Sequence, residues 1–133
     1  MPVSGDSKFL LDSSVLVRVL RGDSLLADSV LNLSQVFVVP TVVGELYYGA
    51  HKSENFAREL AGVSHLLQNV ISLTYSYQTG VEYAVIKDNL RRKGRPIPDA
   101  DMWIAAAAKQ YQMTLIHRDR HFEEIEGLTA EMW

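Results

Sequence analysis

Residues 9–16 read FLLDSSVL, and this stretch decides the fold. Three apolar residues ending on an acid predict a short strand buried on both faces, because a strand with one wet face would alternate. Asp12 closes the strand, and Ser13 or Ser14 is expected to cap a helix whose first turns are VLVRVL (15–20). The acid therefore falls at the carboxyl end of a buried strand.

The same alternation continues down the chain. Gly22 stops the first helix, and a second spans Leu25–Leu33. Val36–Val39 is a β-branched and aromatic run, hence a second buried strand, ended by Pro40. Thr41 is expected to cap a helix over Val42–Ala50, weakened at Gly44 and Gly49 by about 1 kcal/mol each relative to alanine. Residues 54–68 carry Phe56, Leu60, Val63 and Leu67 at helical spacing. Asn69–Leu73 reads as a third strand. Thr74–Lys93 reads as a long helix whose apolar face is Tyr77, Val81, Ala84, Val85 and Leu90. Gly94 ends it, and Pro96 and Pro98 hold the next residues extended. An alanine-rich helix over Asp101–Gln110 leads to a fourth strand, Met113–Ile116, then a polar turn, HRDRHF. A short helix and an edge strand near Leu128–Met132 follow. Strands alternating with helices predict a three-layer α/β/α sandwich around a central, mainly parallel sheet of four to five strands. The 133 residues make one domain, 1–133.

Composition narrows the classes. There is no cysteine, which excludes disulfides and thiolate metal sites and suits a reducing cytoplasm. No apolar run reaches the roughly 20 residues of a membrane span, and the start, MPVSGDSK, lacks the pattern of a secretory signal. The net charge of −3 argues against a nucleic-acid binder. However, 13 basic residues face 16 acids. Four acids committed to cations leave 12, and 13 − 12 is +1 for the remainder.

Ligands of open α/β sheets bind at the carboxyl ends of the strands. Asp12 and Asp119 lie at or just past strand ends, Asp101 opens a helix, and Glu45 lies one turn into another. A right-handed crossover topology can bring all four to one edge. Clustered carboxylates repel one another and stay ionised only beside a cation. Oxygen ligands suit Mg²⁺ or Mn²⁺, which acidify water and stabilise charge on a phosphoryl group. The bland alternatives are that each Asp is a turn former or helix cap, and that Asp101 only complements a helix dipole. Glu45 is harder to explain away, because its helix reads as mostly buried and an unpaired buried carboxylate is costly.

LLDSSVL (10–16), PTVVGELYYGA (40–50), GRPIPDADMWIAAAA (94–108) and TLIHRDRHFEEIEGL (114–128) resemble, in order and over nearly the whole chain, the PIN-domain ribonucleases. The closest likeness is to VapC-type toxins of toxin–antitoxin pairs. The resemblance implies a PIN-like sheet and a metal-dependent endoribonuclease that cleaves single-stranded or loop RNA, in transfer or ribosomal RNA, leaving a 5′-phosphate and a 3′-hydroxyl. It implies that Asp12, Glu45, Asp101 and Asp119 are catalytic and bind Mg²⁺ or Mn²⁺, Asp12 and Asp101 foremost. Ser14, where the family often has Asn, and Asp99 would stand one step behind the metal. His117 replaces the usual Thr or Ser two residues before the last acid; it either touches substrate or packs at the strand end. The resemblance further implies an RNA substrate, a homodimer and a small antitoxin crossing the active-site groove, for which Tyr47, Tyr48 and Tyr75 are candidate contacts.

RNA requires cations along its backbone. Arg91, Arg92, Lys93 and Arg95 cluster before the Asp101 helix, and Arg118 and Arg120 flank Asp119. The alternative is solvated charge at a helix end. Three other functions stay open at this point. One is a PIN-fold module that binds an antitoxin-like partner without activity, which cleavage abolished by EDTA would exclude. Another is an aspartyl phosphatase on Asp12, disfavoured because Ser14 stands where a second Asp is usual. The third is a structure-specific DNA nuclease, whose relatives carry insertions that are missing here.

Overall fold

The computed structural model describes residues 7–133. All but the last two residues of MPVSGDSK, read above as carrying no secretory signal, lie outside them. The strands are β1 (Phe9–Leu11), β2 (Val36–Val38), β3 (Ile71–Ser72), β4 (Thr114–His117) and β5 (Ala130–Met132). They form one sheet in the order β3-β2-β1-β4-β5, and every pairing is parallel. β1 is central, and all three of its residues are buried. This is the expected result of an uninterrupted apolar run, since helices cover both of its faces.

The helices are α1 (Ser13–Leu20), α2 (Ser24–Leu31), α3 (Pro40–His51), α4 (Phe56–Leu67), α5 (Tyr77–Lys93) and α6 (Asp99–Tyr111). The chain steps outward from β1 to β2 to β3 through α1–α4, then returns to β4 through α5 and α6. Right-handed crossovers therefore put the two groups on opposite faces of the sheet. The packing agrees: α1 touches α2, α3 and α4, while α5 lies along α6. The run Ile104–Ala108 is buried, and its small side chains let α6 approach the sheet closely.

Several expectations are corrected. Asp12, not Ser13 or Ser14, is the N-cap of α1. Pro40 enters α3 as its first residue, where a missing N–H costs nothing, so Val39 is the cap. The Thr41 hydroxyl instead meets the Tyr75 hydroxyl at 2.6 Å. α5 begins at Tyr77 behind a Ser76–Thr79 capping box, not at Thr74. Of its expected apolar face only Leu90 is buried; Tyr77 is 90% exposed and Val85 56%. The face turned inward is Thr79, Ile86 and Leu90. Gly94 ends α5 in the left-handed conformation, φ 67°, as the sequence suggests.

Candidate metal-binding site at the carboxyl edge

β1 and β4 set the site. Leu11 pairs with Ile116, and the Asp12 N–H donates to the Ile116 carbonyl at 3.0 Å. Asp12 thus emerges beside the end of β4. Its Oδ2 accepts the Ser14 N–H at 3.3 Å and the Ser14 hydroxyl. Ser14 Oγ in turn accepts the Arg118 N–H at 3.1 Å, tying the two strand ends together. Asp12 is only 3% exposed, and its Oδ1 has no hydrogen-bond partner. Capping therefore explains one oxygen of this carboxylate and leaves the other unexplained. Burial pushes the Asp12 pKa up, the Ser14 hydrogen bonds oppose that, and the charge of Asp119 adds to the rise.

Asp101 lies in the first turn of α6 and is buried. Its pKa is pushed up to about 6, first by burial and then by the Asp12 charge; His121 lowers it and Asp119 raises it. Asp119 caps the 3₁₀ turn Arg120–Glu124, its Oδ1 accepting the His121 N–H at 3.0 Å. Glu45 reaches the site from α3, which packs against α6. The expectation that Glu45 is buried is corrected: the residue is exposed on its helix. Its carboxylate nevertheless accepts the Ser13 hydroxyl at 3.2 Å, and its pKa rises through partial desolvation and the charges of Asp12 and Asp101. Asp12 and Asp101 thus act on Glu45, and Asp119 acts on Asp12 and Asp101, which brings the four acids named from the sequence to one sheet edge.

The second tier divides. Ser14 donates both its N–H and its hydroxyl to Asp12. Asp99 does not join the acids: it accepts from the Tyr83 hydroxyl, pairs with Lys87 at 3.7 Å, and its side chain is 60% exposed. Two residues apart on a helix is about 200° of rotation, so Asp99 and Asp101 face different ways. His117 is buried, packs against Phe122 with ring centroids 4.9 Å apart, and accepts the Asp119 N–H on Nδ1 at 3.2 Å. Burial lowers its pKa. It is a packing residue that fixes the Asp119 backbone. The sequence reading missed His121, whose Nδ1 lies 3.2 Å from Asp101 Oδ2 and 3.0 Å from Asp119 Oδ1. The available signal was the D-x-H spacing past a strand end.

The basic residues divide as well. Arg91 and Arg92 are engaged by Asp88 at 2.7 and 3.0 Å. The Arg118 guanidinium bonds the Trp133 main-chain oxygen. Arg95 and Arg120 line an open groove of about 370 Å³ together with His121. Among the candidate aromatic contacts, Tyr47 and Tyr75 are half-buried and Tyr48 is exposed.

The residues fit a divalent cation. The set is rich in hard oxygen donors, as Mg²⁺ and Mn²⁺ require, and holds a buried carboxylate oxygen without a partner. One donor atom each from Asp101, Asp119 and His121 lies within 4.8 Å of the others.

The parallel α/β sheet thus carries four acids at its carboxyl edge, from the end of β1, from α3, from α6 and from beyond β4, and residues 9–128 match the family described as PIN domain. Ribonuclease VapC2 of Haemophilus influenzae is 31% identical over 129 residues, covering 95% of this chain and 98% of its own. The tRNA(fMet)-specific endonuclease VapC of Salmonella typhimurium is 30% identical, with the same coverage. The solved structure of DNA-bound VapBC from Salmonella typhimurium aligns with a TM-score of 0.87 at 29% identity, over 96% of this chain and 98% of that one. The chain belongs to the PIN-domain family, among its VapC-type ribonuclease toxins.

Proposed function

We propose that this protein is a metal-dependent endoribonuclease, the toxin of a toxin–antitoxin pair, and that it cuts transfer RNA. The observation that carries the metal site is the split carboxylate of Asp12: Oδ2 is consumed by capping, while buried Oδ1 has no partner and other acids stand around it. Asp12 and Asp101 would hold one or two Mg²⁺ or Mn²⁺ ions with help from Glu45 and Asp119. Bound there, the cation supplies Lewis-acid stabilisation of phosphoryl charge and acidifies water. Glu45, exposed and anchored by Ser13, receives the proton of the attacking water. Ser14 keeps Asp12 in register with β4, and His117 keeps the Asp119 backbone in place. Arg95 and Arg120 hold RNA phosphates beside the acids.

Transfer RNA is preferred over ribosomal loops because a 30% identical relative carries tRNA(fMet) specificity in its name. An antitoxin partner is supported by the VapBC complexes among the structural relatives. A groove of about 340 Å³ between α1, α3 and α4 opens beside Glu45, lined by Val17, Leu46 and Val63, and would receive an antitoxin segment. The exposed stripe Tyr77, Val81 and Val85 on α5 would seat a second copy in a homodimer. No helix among the described residues is long and apolar enough to cross a membrane; the cytoplasm is the proposed location because the proposed substrate, transfer RNA, is found there.

The test is incubation of purified protein with total transfer RNA and Mg²⁺ or Mn²⁺. The expected result is discrete products with 5′-phosphate ends, abolished by EDTA and by Asp12→Asn or Asp101→Asn. Cleavage that survives either substitution overturns the assignment. Cleavage of ribosomal RNA but not transfer RNA overturns the substrate.

A further inference from the structure

His121 belongs to none of the roles given to the four acids. Its ring nitrogen lies between two carboxylates from different elements, Asp101 of α6 and Asp119 of the loop after β4. A histidine that merely orients one acid needs one close oxygen; this one has two, at 3.2 and 3.0 Å. Those separations equal the edge between neighbouring ligands of an octahedral ion with bonds of ~2.1 Å, since √2 times 2.1 is ~3.0 Å. Asp12 stands outside this trio but close enough for its charge to act on Asp101, and its buried Oδ1, which no protein group satisfies, is a second, independent sign that a cation is wanted at this edge. The segment is well braced: the His121 N–H is held by Asp119 Oδ1 and neighbouring Phe122 is buried against His117.

We propose that His121 is itself a metal ligand through Nδ1, making the centre a mixed nitrogen–oxygen site that prefers Mn²⁺ to Mg²⁺. The proposal rests on the metal site of the preceding section and adds a donor to it. An imidazole nitrogen is a softer ligand than a carboxylate oxygen. It adds more to the binding of a transition metal than to that of Mg²⁺, which favours oxygen and retained water.

The experiment uses MnCl₂ and MgCl₂ with the full chain and needs no turnover. Pulsed electron paramagnetic resonance of the Mn²⁺-loaded protein should show coupling to a directly bound ¹⁴N nucleus. His121→Asn, which keeps a donor near the same place but makes it oxygen, should lose that coupling and hold Mg²⁺ within about threefold of the parent, read by competition. His121→Ala should weaken Mn²⁺ by at least about tenfold, the lower end of what even an outer partner of a metal ligand contributes. Persistence of the nitrogen coupling in His121→Asn overturns the proposal. So does Mn²⁺ binding to His121→Ala as tightly as to the parent, or more tightly, the latter meaning that the ring only fills the cation's place. A parent protein that binds Mn²⁺ without nitrogen coupling overturns this inference alone. A parent that binds neither ion overturns the metal site as well.

Discussion

The carboxyl edge of the sheet and the outer face of α5 both concentrate charge, but they do so in opposite ways. On α5, Asp88 meets Arg91 and Arg92 one turn away, and Lys87 meets Asp99; each acid has its base, all in solvent. At the sheet edge, the Asp12 charge raises the pKa of Glu45 and Asp101, that of Asp119 raises those of Asp12 and Asp101, and one buried oxygen has no partner. Neutralised surface charge contributes little to a fold. Mutual repulsion in a partly buried cleft works against the fold and persists where a ligand or a reaction uses it.

Substitution should separate the two regions. Asp12→Asn keeps a competent N-cap but removes the charge. It should cut cleavage by at least about 10³-fold, several kcal/mol of barrier. The same variant should melt at a higher temperature than the metal-free parent, whereas loss of activity together with lower stability would mean that Asp12 is only structural. Asp101 gives the next largest effect. Its folded pKa of about 6 stands above the ordinary 3.8, so the folded state binds more protons in that interval. Its contribution is full below pH 4 and is lost as pH rises through 6, up to about 3 kcal/mol. Denaturant melts of metal-free protein should show this slope, and Asp101→Asn should remove it. Replacing Arg95 and Arg120 together by alanine should weaken RNA binding and reduce the salt slope of log K by about 1.4, two phosphate contacts on a single strand. The smallest effect belongs to α5: Asp88→Asn should leave both the melting midpoint and cleavage unchanged, and a clear loss of either would blur the contrast.

The parts of this molecule legible in its sequence are those fixed by local physics. β1 could be read because a strand covered on both faces must be apolar without alternation. Asp12 could be placed because it follows directly. α5 misled because its apolar residues have two helical faces to choose from, and the choice is made by α6. Tyr77 and Val85 went out, Ile86 and Leu90 in. Glu45 was named on two grounds, the resemblance of residues 40–50 and burial; the second is mistaken, since the residue is exposed and it is the packing of α3 on α6 that brings it near Asp101. His121 was missed because its partner Asp101 is twenty residues away in sequence, and within HRDRHF a histidine looks like any polar loop residue.

The pairing of β1 with β4 has a consequence for how the protein is made. Asp12 is translated about a hundred residues before β4, the strand that brings Asp119 beside it. Contacts so distant in sequence form late. A nascent chain that has just exposed β1, α1 and α3 carries Asp12 and Glu45 without Asp101 or Asp119, and so presents half a centre to the RNA crowding the ribosome. The sheet order, with β1 in the middle awaiting β4, lets the four acids meet only after the last of them has been made.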